Sequence, residues 1–331
     1  MDLSTTYLGF KLPHPVIPGA SPMSVDLDQV RRLEDAGAPM IVLSSLFEEQ
    51  LVREQLSAHH GIDPHSGSSG EAMTYFPEPI QYRIGPEAYL KHLSRIKSSV
   101  RVPVVASLNG TTPGGWLDYA KQMQQAGADA LELNLYFVAT APADGAEVVE
   151  RRLASVVEQV AASLKIPVAV KLPPFLTSLP HFVQRLESAG ARAAVVFNRF
   201  YEPDVNVKEQ QVVRTLALST PTELLPRLHA LALLSGRVKL GLAVTGGVHS
   251  GLDALKAVMC GADAVQVVSA LLMKGPEHLE AVRRGLADLL EQNEYESLAQ
   301  VRGSMSLLRC PDPAAYERLN YIHILQNWRG L

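Results

Sequence analysis

Polar side chains and paired glycines stand where several apolar stretches of this sequence end. Lys171 closes the run Val168–Val170, which carries no other charge. A lysine at the end of such a buried run loses its hydration unless an anion or an electron-rich group receives it. Gly246 and Gly247 follow another apolar run, and bare glycine backbone lets a phosphate approach peptide N–H groups closely. These residues predict a site for an anionic ligand.

Two asparagines extend this prediction. Asn134 and Asn198 each follow an apolar run, and each amide offers a hydrogen-bond donor and an acceptor. Together with Lys171 and the paired glycines, they indicate a planar cofactor that bears a phosphate. Simpler readings stay open: the asparagines could cap loops, the glycines could form a tight turn, and Lys171 could reach solvent or form a Schiff base.

A recurring sequence motif indicates which helices and strands position these residues. A small residue, a glycine and an alanine follow an amphipathic stretch and precede a short apolar run at 36–38, 126–128, 189–191 and 260–262. Glycine adopts the left-handed conformation that ends a helix. Each copy therefore predicts a helix that stops and leads directly into a strand.

Eight such units predict a parallel α/β barrel. The strand candidates are 16–17, 40–43, 103–106, 130–133, 167–170, 193–197, 238–243 and 264–268, and the helix candidates are 26–36, 86–98, 115–126, 145–164, 178–189, 222–235, 250–259 and 275–290. An open doubly wound sheet is the rival topology. In a barrel, functional residues lie after the strands, and phosphate commonly binds after strands 7 and 8, which here end at Gly246–Gly247 and Val268–Ser269.

Two connections are too long to be simple turns. Residues 46–82 follow the second strand and residues 199–221 follow the sixth, and loops beyond about 12–15 residues are usually lids or binding loops. We expect one barrel domain over 1–292 and a helical extension packed on it over 293–331.

Composition narrows the class of protein. The 331 residues carry 30 Lys and Arg against 34 Asp and Glu, a net charge of −4, so no positive field would attract nucleic acid. Two cysteines cannot form a disulfide framework or an iron–sulfur cluster by themselves, and we expect no metal site. The sequence begins without a signal-like segment and has no membrane-length apolar run, which predicts a cytoplasmic protein without a membrane partner.

Five stretches resemble the dihydroorotate dehydrogenase family, chiefly its class 1 members, over about residues 5–290. They are Gly9–Ser21, Glu132–Leu135, Val170–Pro174, Thr245–Ala254 and Cys260–Leu271. The resemblance implies a TIM barrel, the cofactor FMN and a role in pyrimidine biosynthesis. It also implies that Lys171 lies beside the N1–C2 region of the flavin, where it stabilises the reduced anion.

The resemblance assigns further residues to the cofactor and the substrate. Gly246, Gly247, Val268 and Ser269 match the phosphate contacts. Ser21, Ser44, Asn134 and Phe197 match positions that line the ring, and Asn134 with Asn198 match amides that also hold the pyrimidine.

The substrate part of the pattern departs from the family. Phe137 stands where the family carries its Cys or Ser base, and a phenyl ring cannot accept a proton. Ala139 replaces a substrate-binding amide, and Leu43 replaces a lysine. Candidates for a replacement base are Tyr136, Thr140, Tyr201 and the histidines of the 46–82 loop, namely His59, His60 and His65.

These observations predict an FMN-dependent oxidoreductase that acts on a CH–CH group of a small molecule, with a substrate that can differ from dihydroorotate. A flavin-binding protein or subunit without turnover is the second hypothesis, and a Schiff-base lyase using Lys171 is a minor third. Symmetry makes a homodimer the default assembly.

Overall fold

The structure is a computed structural model that describes residues 1–47, 85–110, 116–200, 202–213 and 217–327. Most of the predicted 46–82 loop lies outside these residues, as do Tyr201 and the three loop histidines. Its first two residues belong to a strand instead, because Leu46 and Phe47 continue the parallel pairing with the next strand.

The described strands comprise a parallel barrel and two short hairpins. They are β1 Thr5–Tyr7, β2 Phe10–Leu12, β3 Val16–Pro18, β4 Ile41–Phe47, β5 Val104–Asn109, β6 Ala130–Asn134, β7 Val168–Lys171, β8 Ala193–Val196, β9 Asp204–Asn206, β10 Gln211–Val213, β11 Gly241–Thr245 and β12 Ala264–Val267. The parallel sheet has the order β3-β12-β11-β8-β7-β6-β5-β4, and its edge strands β3 and β4 lie next to each other. This nearly closed sheet confirms the predicted TIM barrel and excludes the open doubly wound sheet.

Helices follow the strands as predicted. They are α1 Leu27–Asp35, α2 Pro86–Ser99, α3 Trp116–Gln125, α4 Ala146–Ser163, α5 Leu179–Ser188, α6 Leu225–Leu234, α7 Gly251–Met259, α8 Ser269–Lys274, α9 His278–Gln292, α10 Leu298–Val301 and α11 Pro313–Gln326. The four recurring glycines have φ angles from 90° at Gly37 to 114° at Gly261. They end helices in the left-handed conformation, as the sequence predicts.

Side chains alternate between two sides of each barrel strand. One set packs between the sheet and the helices and includes Leu131, Leu133 and Val170. The other set fills the barrel interior and includes Ala130, Ala169 and other small residues. Since side chains two positions apart share a face, Glu132 and Asn134 follow Ala130 into the interior, and Lys171 follows Ala169. The interior therefore changes from apolar to polar toward the carboxyl ends of the strands.

The hairpins lie outside the parallel sheet. The β1–β2 hairpin contributes Tyr7, Leu8 and Leu12 to the apolar part of the interior. The β9–β10 hairpin lies within the 199–221 connection and is largely exposed.

After residue 292, α10 buries Leu298 and Val301, whereas α11 buries none of its residues. The division into a 1–292 domain and an extension stays a prediction. In the described parts of the chain, no helix is both long and apolar enough to cross a lipid bilayer.

Candidate functional site at the carboxyl ends of the strands

A buried ion pair lies inside the barrel near the strand ends. The Nζ atom of Lys171 lies 3.2 Å from Oε1 of Glu132. Nε2 of Gln266 donates to Oε2 of the same carboxylate at 2.6 Å. Lys171 is 5% exposed and Glu132 is 1% exposed, so Lys171 does not reach solvent. We call Glu132, Asn134, Lys171 and Gln266 the polar floor.

Asn134 is held by hydroxyl groups on β4 and β5. Its Nδ2 atom donates to Oγ of Ser45 at 2.6 Å and to Oγ of Ser107 at 3.1 Å. The Tyr89 hydroxyl in turn donates to the Ser107 carbonyl and accepts from the Ser107 N–H. Burial raises the pKa of Tyr89 above its usual range, so its hydroxyl keeps the proton that it donates. This network fixes the direction of the Asn134 amide.

Two acceptors in the polar floor have no hydrogen-bond partner within the described residues. They are Oδ1 of Asn134 and Oε1 of Gln266, and both are buried. An unpaired buried acceptor costs about 1–3 kcal/mol, so a bound molecule with N–H donors would relieve this cost. The polar floor thus offers acceptors and one ammonium group to a ligand.

The predicted phosphate contacts after β11 and β12 are brought together. The Gly247 N–H donates to Oγ of Ser219 at 3.1 Å, and the Ser219 hydroxyl donates to Oγ of Ser269 at 2.8 Å. The Ser219 N–H donates to the same Ser269 oxygen at 3.0 Å. Glycine backbone and serine hydroxyls therefore converge on one point, as an anion site requires.

A buried guanidinium stands next to the paired glycines. Arg227 is 8% exposed, and its Nε donates to the Thr245 carbonyl at 2.5 Å while a second nitrogen donates to the Glu223 carbonyl. A Cβ at Gly246 would lie 2.9 Å from this guanidinium, and one at Gly247 would lie 2.4 Å from the Leu224 nitrogen. Both glycines are therefore required by close approach, and Arg227 adds positive charge to the site. Burial lowers the pKa of Arg227.

The remaining predicted ring contacts lie on the same edge. Oγ of Ser24 accepts from the Ser44 N–H at 2.7 Å and donates to the Ser21 carbonyl at 2.9 Å, which links these two predicted residues.

Two predicted site residues directly follow β8. Phe197 is buried, and the Asn198 N–H donates to the Leu172 carbonyl at 2.7 Å. A Cβ at Gly19 would lie 2.8 Å from Cγ2 of Val268, so the end of β3 closely approaches the end of β12.

The loops after β6, β7 and β8 carry a group of aromatic side chains. The Phe175 and Phe200 rings meet edge to face at 4.7 Å between centroids, and the Tyr136 ring lies 6.1 Å from Phe200. The Arg152 guanidinium carbon lies 5.4 Å from the centroid of the half-buried Phe137 ring. We call Tyr136, Phe137, Phe175 and Phe200 the aromatic wall.

Of the predicted replacement bases, Tyr136 is a member of this wall, Thr140 is exposed, and Tyr201 lies outside the described residues. Elsewhere in the part of the chain that the structure describes, no group of three or more His, Cys, Asp or Glu side chains is placed to hold a metal ion.

Several residues of this site were not predicted from the sequence, among them Glu132, Gln266, Ser219 and Arg227. Glu132 and Gln266 are polar residues inside apolar strands, and that departure from an apolar run is the signal that could have identified them. Ser219 and Arg227 lie in or just after the long 199–221 connection, where the sequence alone gives no such signal.

Comparison with known proteins identifies the family. The family described as dihydroorotate dehydrogenase matches residues 83–290. A protein of Aeropyrum pernix, provisionally named dihydroorotate dehydrogenase A (fumarate), is 28% identical over 91% of this chain and 97% of its own length.

Two further relatives carry different names. The chloroplastic dihydropyrimidine dehydrogenase (NADP(+)) of Arabidopsis thaliana is 23% identical over 91% of this chain and 76% of its own length. The catalytic subunit of dihydroorotate dehydrogenase B (NAD(+)) from Endomicrobium trichonymphae is 22% identical over 93% of this chain and 98% of its own length.

The residues present fit the cofactor of these proteins. FMN combines a phosphate with a ring that has an N–H donor and becomes anionic on reduction. Unpaired acceptors, a buried ammonium and paired glycines beside a buried guanidinium occur together at one end of the barrel. The fold, the site and the match over more than half of the sequence agree: this chain belongs to the dihydroorotate dehydrogenase family, whose members are FMN flavoproteins that act on CH–CH groups.

Proposed function

We propose that this protein is an FMN-dependent oxidoreductase that oxidises or reduces a CH–CH bond in a small ring compound other than dihydroorotate. When bound, FMN supplies the hydride acceptor or donor at its N5 atom. The observation that carries the proposal is a complete polar floor next to an aromatic wall that lacks a proton acceptor at Phe137.

In this proposal, Lys171 stabilises negative charge on the N1–C2 side of the reduced ring. Glu132 holds the ammonium in place at 3.2 Å, and Gln266 fixes the carboxylate because its Nε2 atom donates to the other carboxylate oxygen at 2.6 Å. Asn134 presents its unpaired Oδ1 to a ring N–H. Ser21, Ser44 and Phe197 line the ring, and Asn198 contacts the substrate together with Asn134.

The phosphate of FMN would be held by Gly246, Gly247, Val268 and Ser269. Support comes from the hydrogen bonds that already join Gly247 to Ser269 through Ser219. The Arg227 guanidinium next to Gly246 favours an anion at this point.

The substrate differs because the base position is occupied by Phe137. Loss of a general base typically lowers the rate about 10²–10⁴-fold, and Ala139 removes an amide that would hold the pyrimidine. The relatives named for dihydroorotate and dihydropyrimidine point to a small heterocycle. Of the weak replacement bases, Tyr136 lies in the aromatic wall, Thr140 is exposed, and Tyr201 is named from the sequence alone.

A flavin-binding protein or subunit without turnover is the second candidate, and the Phe137 side chain packed by Arg152 is the observation that favours it. A Schiff-base lyase has less support, because imine formation needs a free amine and the Lys171 ammonium is paired with Glu132. Borohydride trapping would detect that lyase. A homodimer and a cytoplasmic location stay predictions.

The test begins with the purified protein, which should be yellow and should bleach with dithionite. Orotate formation is then measured for the wild type, Phe137→Cys and the control Phe175→Cys. We expect no orotate from the wild type and a rise with Phe137→Cys alone. A colourless protein that rejects added FMN would refute the proposal. Rapid orotate formation by the wild type would refute the proposal that the substrate is not dihydroorotate.

A further inference from the structure

A cavity of about 330 Å³ opens next to Phe137, between the loops after β6 and β7 and helix α4. Its described lining is mostly apolar and includes Phe137, Ala139, Leu153, Phe175, Leu176 and Phe200. Phe137 and Ala139 occupy the positions that the family uses for the base and a substrate amide. The cavity therefore lies at the edge of the proposed substrate position.

The charged groups of this cavity already have partners. Asp144 lies 3.8 Å from Arg152, whose guanidinium also covers the Phe137 ring. Glu150 lies 3.7 Å from Arg185. A substrate carboxylate would meet two carboxylates, and either arginine would have to leave its partner to receive it. The site therefore disfavours an anionic substituent.

The aromatic rings present an apolar surface that is exposed to solvent. Phe175 is 71% exposed, although its ring already packs edge to face on Phe200 at 4.7 Å. Edge-to-face packing of this kind extends readily to a third ring. Contiguous exposed apolar surface rimmed by polar residues is a feature of ligand-binding grooves.

We propose that this cavity binds an uncharged apolar substituent of the substrate, preferably an aromatic ring, in place of the carboxylate of dihydroorotate. The assignment rests on the proposed function, because it places the substituent on the ring that is oxidised or reduced. The volume suffices, since an apolar cavity of about 150 Å³ already holds a benzene molecule.

The experiment compares three pyrimidines that differ at one position: uracil, orotate and 6-benzyluracil. Binding to the FMN-loaded protein is measured by isothermal titration calorimetry and by the change in flavin absorbance. Burial of the added ring should make 6-benzyluracil bind at least about tenfold more tightly than uracil, and orotate should bind no more tightly than uracil.

Variants locate the binding. Phe175→Ala should weaken 6-benzyluracil binding about three- to tenfold, because it removes one aromatic contact. Ala139→Leu fills the cavity and should weaken binding by a similar factor. Tyr316→Ala, on an exposed ring of α11, should change nothing. Uracil affinity should remain the same in Phe175→Ala and Tyr316→Ala.

Preferential binding of orotate would overturn the assignment, and so would equal loss of 6-benzyluracil affinity in Tyr316→Ala and Phe175→Ala. A protein without FMN would refute the proposed function instead. Even in a protein without FMN, calorimetry with 6-benzyluracil would test whether the cavity prefers an apolar ring.

Discussion

The polar floor and the aromatic wall lie at the same end of the barrel but differ in how they are built. The polar floor consists of side chains on strands, buried to 5% exposure or less at Glu132 and Lys171. The aromatic wall consists of side chains on the loops that follow, and Phe175 is 71% exposed. Strand side chains are fixed by the sheet on both sides, whereas loop side chains change with little effect on the fold. A barrel of this kind can therefore change the loop residues of the aromatic wall while it keeps the strand residues of the polar floor.

The two regions also differ in electrostatics. In the polar floor, one ammonium and one carboxylate compensate each other in a buried position. Next to the aromatic wall, Arg152 and Asp144 are paired with each other, and aromatic and aliphatic groups dominate the lining of the adjacent cavity. The first region thus offers a paired ammonium and hydrogen-bond acceptors, whereas the second offers an apolar surface.

The largest expected effect comes from breaking the polar floor. Glu132→Ala leaves the Lys171 ammonium buried without its carboxylate, and removing one partner of a buried ion pair costs about 3–5 kcal/mol. We expect a loss of that size in the free energy of unfolding, measured by urea denaturation. FMN binding should weaken as well, because Lys171 loses the carboxylate that positions it.

An exposed pair supplies the control. Glu147 lies 3.3 Å from Arg151 on the surface of α4, and Glu147→Ala should change stability by less than about 1 kcal/mol. The double variant Glu132→Leu/Lys171→Met should restore most of the stability, because replacing both charges by apolar groups is often neutral. It should still fail to bind FMN tightly. Equal losses of unfolding free energy in Glu132→Ala and Glu147→Ala would contradict the prediction that the buried ion pair of the polar floor contributes more to stability than an exposed pair.

The sequence predicts the polar floor only in part. Lys171 and Asn134 end their strands and were identified as site residues for that reason. Glu132 and Gln266 were not, although each shares a face with a predicted site residue two positions later, Asn134 and Val268. Their contact joins positions 134 residues apart and depends on closure of the barrel, which local patterns do not describe.

The aromatic wall was harder to predict. The resemblance predicts that Phe137 stands at the position of the family's base, but the sequence does not predict that Phe175 and Phe200 meet across two different loops. Ring packing of this kind depends on loop conformation, for which the residues give no periodic signal. The eight barrel strands and the helices between them, in contrast, were predicted to within a few residues by their apolar runs and glycine stops, whereas the two hairpins and the short helix α8 were not predicted.

The second prediction concerns the paired glycines and tests whether close packing at Gly247 excludes a side chain. Gly247 has a φ of +78°, and an added Cβ would meet the Leu224 nitrogen at 2.4 Å. Gly247→Ala should therefore cost about 2–4 kcal/mol of stability and abolish FMN binding. Gly9 has a φ of +84° and nothing within 4 Å of an added Cβ, so Gly9→Ala should cost only about 1–2 kcal/mol. If both variants lose the same stability, close approach does not explain Gly247.

The smallest expected effect is on the stability of the aromatic wall. Phe175→Ala removes a ring that is 71% exposed, so the free energy of unfolding should change by no more than about 0.5 kcal/mol. The matched variant Phe182→Ala removes a fully buried ring of α5 and should cost about 3–5 kcal/mol. Urea denaturation of both variants measures this contrast. A large loss from Phe175→Ala would mean that the ring supports the fold, whereas a negligible loss together with weaker 6-benzyluracil binding would mean that it serves the ligand.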